Sequence, residues 1–221
     1  IGSNDGTESG TFTRELVSAS DANDQINALG TAILEPRLNT QQLNLFGEGE
    51  YSRTPASASL DLTTAATWEI WGNFYGAASS GNRYVFSKYV GADNERSWAV
   101  LKRSDDTVDT SISMFFGSDS GVLLGQARWH ALADSVQGVV ITYTAGSLLL
   151  YLDGVLIGAP NTEITVPTSI YVGSAPVTNG SLDTGTAPYN GKIGSAKIYN
   201  VALTADEVLT NYNTQKSLYG L

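Results

Sequence analysis

Two short stretches of the chain concentrate side chains that could do chemistry. "GADNERSW" sets Asp93, Asn94 and Glu95 side by side, and "RSDDTVDT" carries Asp105, Asp106 and Asp109. Carboxylate and amide oxygens at such close spacing are the ligands a calcium ion takes. The same residues also close the backbone of ordinary polar turns between strands, and the sequence leaves both readings open. Two further stretches group aromatic rings with polar side chains: Tyr89, Asn94, Arg96 and Trp98 in one, Asn179, Asp183, Tyr189 and Asn190 in the other. A sugar packs its C–H face on an aromatic ring while its hydroxyls seek amide and hydroxyl partners. Tyr89, Asn94, Arg96, Trp98, Tyr189 and Asn190 are therefore the expected carbohydrate contacts. Among them Trp98 alternates with Val100 as a core residue would, whereas Tyr189, inside "TNGSLDTGTAPYNG", is expected to be exposed.

Other chemistry is excluded by what the chain lacks. His130 is the only histidine among 221 residues and there is no cysteine, which removes Ser-His-Asp, Cys-His, thiolate-metal and most histidine-metal sites together. A formal net charge of -10 without a basic cluster argues against nucleic acid or an anionic membrane surface, because binding either relies on neutralising phosphate with Lys and Arg. No apolar run approaches the length of a membrane span. The chain begins at Ile1 rather than Met, so it is expected to be a processed or excised piece of something longer.

The elements that must position these groups are mostly strands. "SLLLYLDGVLIG" is a hairpin, since Asp153-Gly154 between apolar runs supplies the two positive-φ residues of a type I′ turn. Alternation puts Leu148, Leu150 and Leu152 on one face and Leu149 and Tyr151 on the other, so both faces must be covered. Similar short runs predict strands near 42–47, 50–54, 66–75, 83–89, 96–103, 108–117, 121–125, 136–144, 147–153, 155–159, 168–174 and 191–200. Many short strands without helices between them predict an all-β, two-sheet antiparallel jelly-roll sandwich. In "VALTADEVLTNYN" Thr204 and Glu207 form a capping box and Leu203 can staple to Val208, which predicts a C-terminal helix. At the other end residues 1–12 read as a flexible lead-in. Ala22, Ile26, Leu29 and Ile33 then line one stripe of a short helix that stops before Pro36. That stripe is expected to serve oligomerisation or docking, in an arm over 1–37 that precedes a sandwich over 38–221.

The order of the pieces resembles the laminin-G-like branch of the concanavalin A-like lectin/glucanase superfamily. "LNLFGEGEYSRTPASASLDLTTAATWEIWGNF" is similar to its opening, and "YVFSKYV", "SWAVLKRSDDTV", "VVITYTAGSLLLYLDGVLIG" and "NGKIGSAKIYNVALTADEV" follow in the family's order. The chain departs from it twice: Val136, Gln137 and Gly138 stand where the family commonly has Trp-His-His, and Gly194 stands where it often has Asp. The resemblance implies a jelly roll of two curved sheets and a binding role toward glycans or protein surfaces. Its hydrolases place acids as Glu-x-Asp-x-x-Glu on one strand, as a glycosidase needs. Here Glu69 is present, but Trp71 and Phe74 occupy the other two positions, so no enzyme activity is expected. The absence of cysteine makes the chain look like the bacterial or phage type. The expectation is then a non-catalytic carbohydrate-recognition module outside the cell or on a virion surface, its partner a glycan or surface polysaccharide. The alternative is a structural virion component, a decoration or fibre protein that meets capsid or tail proteins through its arm. Calcium is the only cofactor the resemblance suggests.

Overall fold

A computed structural model describes residues 43–46, 51–54, 58–74, 81–89, 96–105, 108–118, 123–130, 136–160, 166–180 and 189–221. The expected stripe of Ala22, Ile26, Leu29 and Ile33 lies outside them, as do Asp93, Asn94 and Asp106. Among the described residues twelve strands form: β1 (Leu43–Phe46), β2 (Tyr51–Thr54), β3 (Ala65–Asn73), β4 (Gly81–Lys88), β5 (Trp98–Asp105), β6 (Val108–Gly117), β7 (Leu123–His130), β8 (Val136–Thr144), β9 (Ser147–Leu152), β10 (Val155–Gly158), β11 (Val177–Gly180) and β12 (Asn190–Tyr199). They make two six-stranded sheets, ordered β1-β12-β3-β8-β9-β10 and β2-β11-β4-β5-β6-β7, with every pairing antiparallel. This is the jelly-roll sandwich.

Alternation decides what fills it. Trp68 and Ile70 of β3, Val139, Ile141 and Tyr143 of β8, and Leu148, Leu150 and Leu152 of β9 point inward from the first sheet. They meet Trp98 and Val100 of β5, Ile112, Met114 and Phe116 of β6, and Ala127 and Trp129 of β7 from the second. Trp68 and Trp98 lie at the centre with ring centroids 5.4 Å apart and tilted by 57°, an arrangement aromatic quadrupoles favour over face-to-face contact.

The hairpin turn takes the conformation its residues prescribe, with φ of 50° at Asp153 and 79° at Gly154. Asp153 also extends the ladder: its amide donates to the Gly138 carbonyl and its carboxylate accepts from the Gly138 amide, each at 2.9 Å. The second face of the hairpin is covered by the C-terminal helix, α1 (Ala205–Gln215). Val208 packs on Val140 and Tyr151, with Leu149 and Leu203 beside them. The capping box is in place, Thr204 Oγ1 accepting from the Glu207 amide at 3.3 Å and Glu207 Oε2 accepting from the Thr204 amide at 2.8 Å. A 3-10 turn over Lys216–Tyr219 continues from it and is closed by Gly220 at φ 76°.

One strand is misplaced in the sequence reading. Residues 168–174 are irregular: Ile170 donates its amide to the Thr63 carbonyl at 2.7 Å and buries its side chain, but no ladder forms. The strand of that region is β11, the polar run Val177–Gly180, held between β2 and β4. Its membership rests on two partners rather than on its own composition, as β propensity commonly does.

Candidate functional site

Strand β3 carries the residue that the hydrolase pattern singles out. Because Trp68 and Ile70 point into the core, Glu69 and Trp71 point out of the sandwich, and there α1 covers them. The Glu69 side chain is 1% exposed yet fully supplied with donors. Oε1 accepts from Trp71 Nε1 at 3.2 Å and from Gln215 Nε2, with Lys197 Nζ at 3.6 Å. Oε2 accepts from the Tyr199 hydroxyl at 2.8 Å and from Asn211 Nδ2 at 3.1 Å. A buried carboxylate costs several kcal/mol unless it is paired and hydrogen-bonded, and this set supplies both. The carboxylate is walled off from any substrate, so its work is to fasten the helix to the sheet.

Beside it three rings stand in a row across the same face. Trp71 stacks with Tyr219 at 4.6 Å and 8° and with Tyr212 at 5.6 Å and 9°. Each ring rests where the strand beneath has no side chain. A Cβ at Gly194 would lie 2.3 Å from the Tyr219 ring, one at Gly138 3.0 Å from the Trp71 ring, and one at Gly154 3.0 Å from Tyr212. Both glycines that depart from the family pattern, Gly138 and Gly194, are thus the seats of this stack. A small gap under the helix, lined by Glu69, Trp71, Val140 and Tyr212 among others, belongs to the same interface.

The outer face of the second sheet is closed as well, with Tyr84, Ala99, Leu101 and Phe115 forming a second buried apolar cluster. Its rim is where two of the expected carbohydrate contacts come together. Tyr89, at the end of β4, is half-buried against this cluster with its ring 5.3 Å from that of Tyr84, and the Arg96 guanidinium lies over the Tyr89 ring at 5.5 Å. Arg96 is held by its neighbour. The Ser97 amide donates to the Lys88 carbonyl at 3.0 Å, the Ser97 carbonyl accepts from the Gly117 amide at 2.8 Å, and Ser97 Oγ donates to the Tyr171 carbonyl at 2.5 Å. Gly117 lets the backbone pass, since a Cβ there would lie 2.5 Å from the Arg96 carbonyl oxygen.

The remaining contacts do not join them. Trp98 is a core residue, turned inward by the same alternation that buries Val100. Tyr189, expected to be exposed, is 1% exposed instead. Its hydroxyl donates to the Asn73 carbonyl at 2.9 Å, and its ring fills the space above Gly191. The Asn73 acceptor comes from a strand more than a hundred residues away, so the composition around Tyr189 held no sign of it. Asn190 begins β12, Asp105 ends β5, and Asp109 is the second residue of β6. No cluster of three or more His, Cys, Asp or Glu side chains suited to a metal occurs among the described residues.

Burial pushes the hydroxyls of Tyr189, Tyr143, Tyr199 and Tyr219 above their ordinary range, and for Tyr199 the Glu69 charge pushes the same way. Tyrosine in an unfolded chain ionises near pH ~10, so the stability these groups confer is intact below that value and is lost as pH climbs beyond it. Alkaline titration should show a part of the tyrosinate absorbance rising only together with loss of the β-sheet circular dichroism. Titration of every tyrosine near the ordinary value with the fold intact would contradict the burial.

The sequence profile of the concanavalin A-like lectin/glucanases superfamily matches residues 46–209, three quarters of the chain. Among solved structures, the receptor-binding domain of botulinum neurotoxin C/D mosaic serotype superposes with a TM-score of 0.57 at 12% identity, over 95% of this chain and 48% of that one. Domain 4 of AbnA, an extracellular GH43 arabinanase of Geobacillus stearothermophilus in complex with arabinotriose, gives 0.52 at 16% identity, over 76% and 75%. The Trypanosoma rangeli sialidase gives 0.54 at 14%, over 80% and 28%. At these identities the likeness establishes the fold. The chain spans less than half the length of the neurotoxin domain it matches. No curated protein matches its sequence.

Proposed function

Since the chain belongs to the concanavalin A-like lectin/glucanase superfamily, we propose that it is a non-catalytic recognition module, binding carbohydrate at the Tyr89–Arg96 rim. The observation that carries this reading is the state of Glu69. The one acid left of the hydrolase pattern is spent on five neighbours under a helix, and Trp71 beside it is stacked between tyrosines. Neither is placed to protonate a glycosidic oxygen or to attack a sugar. The arabinotriose-bound arabinanase domain supports the reading as a case of the same fold holding a glycan. The bacterial or phage type, an extracellular or virion-surface setting and the division into an arm over 1–37 and a sandwich over 38–221 are parts of the same proposal.

The test is a glycan array probed with the full chain, with and without a calcium chelator, followed by product analysis of every glycan retained. The expected result is selective retention with no shortened product. Hydrolysis, or no retained glycan in either condition, would overturn the reading. Loss of retention with chelator would show that calcium is needed, with the side-chain oxygens of Asp93, Asn94, Asp105, Asp106 and Asp109 as its proposed ligands.

A second reading, a structural virion component, is favoured by one observation. The edge strand β10 presents Val155, Leu156 and Ile157 at 61, 50 and 47% exposure with no charge among them. Edge strands are usually blunted by charge, and an apolar one suits a protein neighbour. β10 is also short and carries a bulge after Leu156, devices that oppose strand addition, so this reading ranks second.

A further inference from the structure

Under the C-terminal helix an amine, a carboxamide and a carboxylate stand together as the reactants of an amide exchange. Lys197 lies opposite Glu69 in the pairing of β12 with β3, and its Nζ donates to Gln215 Oε1 at 2.9 Å while standing 3.6 Å from Glu69 Oε1. Gln215, the last residue of α1, donates its Nε2 to that same Glu69 oxygen. We infer that Lys197 and Gln215 join in an intramolecular isopeptide bond, with Glu69 carrying the protons and one ammonia lost from the chain. The carboxamide oxygen is bonded to its carbon at ~1.2 Å, so the amine stands within about 4 Å of the atom it attacks, close to the ~3–3.5 Å of a near-attack pair. Little motion is needed.

The chemistry balances without a co-reactant. Glu69 takes a proton from the Lys197 ammonium, and the freed amine adds to the Gln215 amide carbon, whose oxygen holds the negative charge until the Cδ–Nε2 bond breaks. Nζ gives up two protons in all. Both pass by way of Glu69 to Nε2, which departs as ammonium and leaves the carboxylate charged as it began. Such a shuttle must reach the attacking and the leaving nitrogen alike, and Glu69 Oε1 faces each of them. Trp71, Tyr199 and Asn211 hold the carboxylate from its other sides. Burial of Glu69 and Gln215 keeps water from competing for the carbonyl, while the partly exposed Lys197 marks the way out for the ammonium. The product ties α1 to β12 in a chain that has no cysteine for a disulfide. A closed loop between residues 197 and 215 restrains the unfolded chain as a disulfide does.

The experiment is the intact mass of the purified full chain after prolonged incubation at neutral pH, followed by protease mapping. The mass should fall below that of the sequence by one ammonia. Trypsin should fail to cut after Lys197, and cleavage at Glu207 should leave the two flanking pieces joined. Lys197→Arg keeps the charge but cannot release its proton, and Glu69→Gln cannot take one up, so both variants should retain their full sequence mass. Circular dichroism of each variant separates lost chemistry from lost folding, and the parent's own mass decides the matter even where a variant fails to fold. A folded parent at full sequence mass overturns the inference, as does a joined peptide in folded Glu69→Gln. Ammonia lost instead at Asn179-Gly180 or Asn190-Gly191, with an ordinary cut after Lys197, overturns it too.

Discussion

A chain ending at Leu203 should fail to fold cooperatively. The eighteen residues removed carry Val208, Tyr212 and Tyr219, which bury Val140, Tyr151 and Trp71, and Asn211 and Gln215, which satisfy Glu69. Each large apolar side chain returned to water costs about 1.5–3 kcal/mol. Their sum is comparable with the ~5–15 kcal/mol that holds a typical domain together. Circular dichroism with temperature should show no sharp transition, and the protein should precipitate through its uncovered sheet. A truncated chain with the parent's melting temperature would show that the sandwich closes without its helix.

Glu69→Ala is expected to be the most damaging single substitution on that face. It takes the carboxylate acceptor from Trp71 Nε1, the Tyr199 hydroxyl and the amides of Asn211 and Gln215, and leaves only the longer bonds of Asn211 Nδ2 to the Tyr199 hydroxyl and of Gln215 Nε2 to the Asn211 carbonyl, each at 3.3 Å, and of Lys197 to the Gln215 oxygen at 2.9 Å. Breaking a buried charged pair from one side costs about 3–5 kcal/mol. Glu69→Gln should cost less, because it keeps one acceptor oxygen but turns an N–H2 group toward donors. Urea midpoints of the two variants check the order. A loss under ~1 kcal/mol for Glu69→Ala would mean that water substitutes for the carboxylate and that the helix is loosely held.

Whatever depended on neighbours in the chain could be read in advance, and whatever depended on distant ones could not. The Asp153-Gly154 turn, the Thr204 capping box, the Leu203–Val208 contact and the inward alternation of Trp98 with Val100 are local rules, and each holds. Glu69 reads locally as the remnant of an acid pattern. Its partners Asn211 and Gln215 are more than 140 residues away and reach it only because a helix crosses back over β3. Tyr189 reads as exposed for the same reason, its acceptor being the Asn73 carbonyl. The glycines at 138 and 194 look like plain departures from a family pattern until the rings above them are known.

The pairing of β1 with β12 and of β2 with β11 has a consequence for how the chain is made. The first strands of the sandwich meet its last, and the lid on the outer face of the first sheet follows the last of these strands in the chain. During synthesis the ribosome therefore releases nearly all of the sandwich before either sheet can gain its final neighbours. Until then Trp71, Val140 and Tyr151 have nothing above them, and the central strands wait with their flanks open. Long-range closure of this kind makes folding slow and leaves the nascent chain open to aggregation. A nascent chain that has not yet gained this helix should therefore be a sticky intermediate, which gives a small, plain element more weight in folding than its sequence suggests.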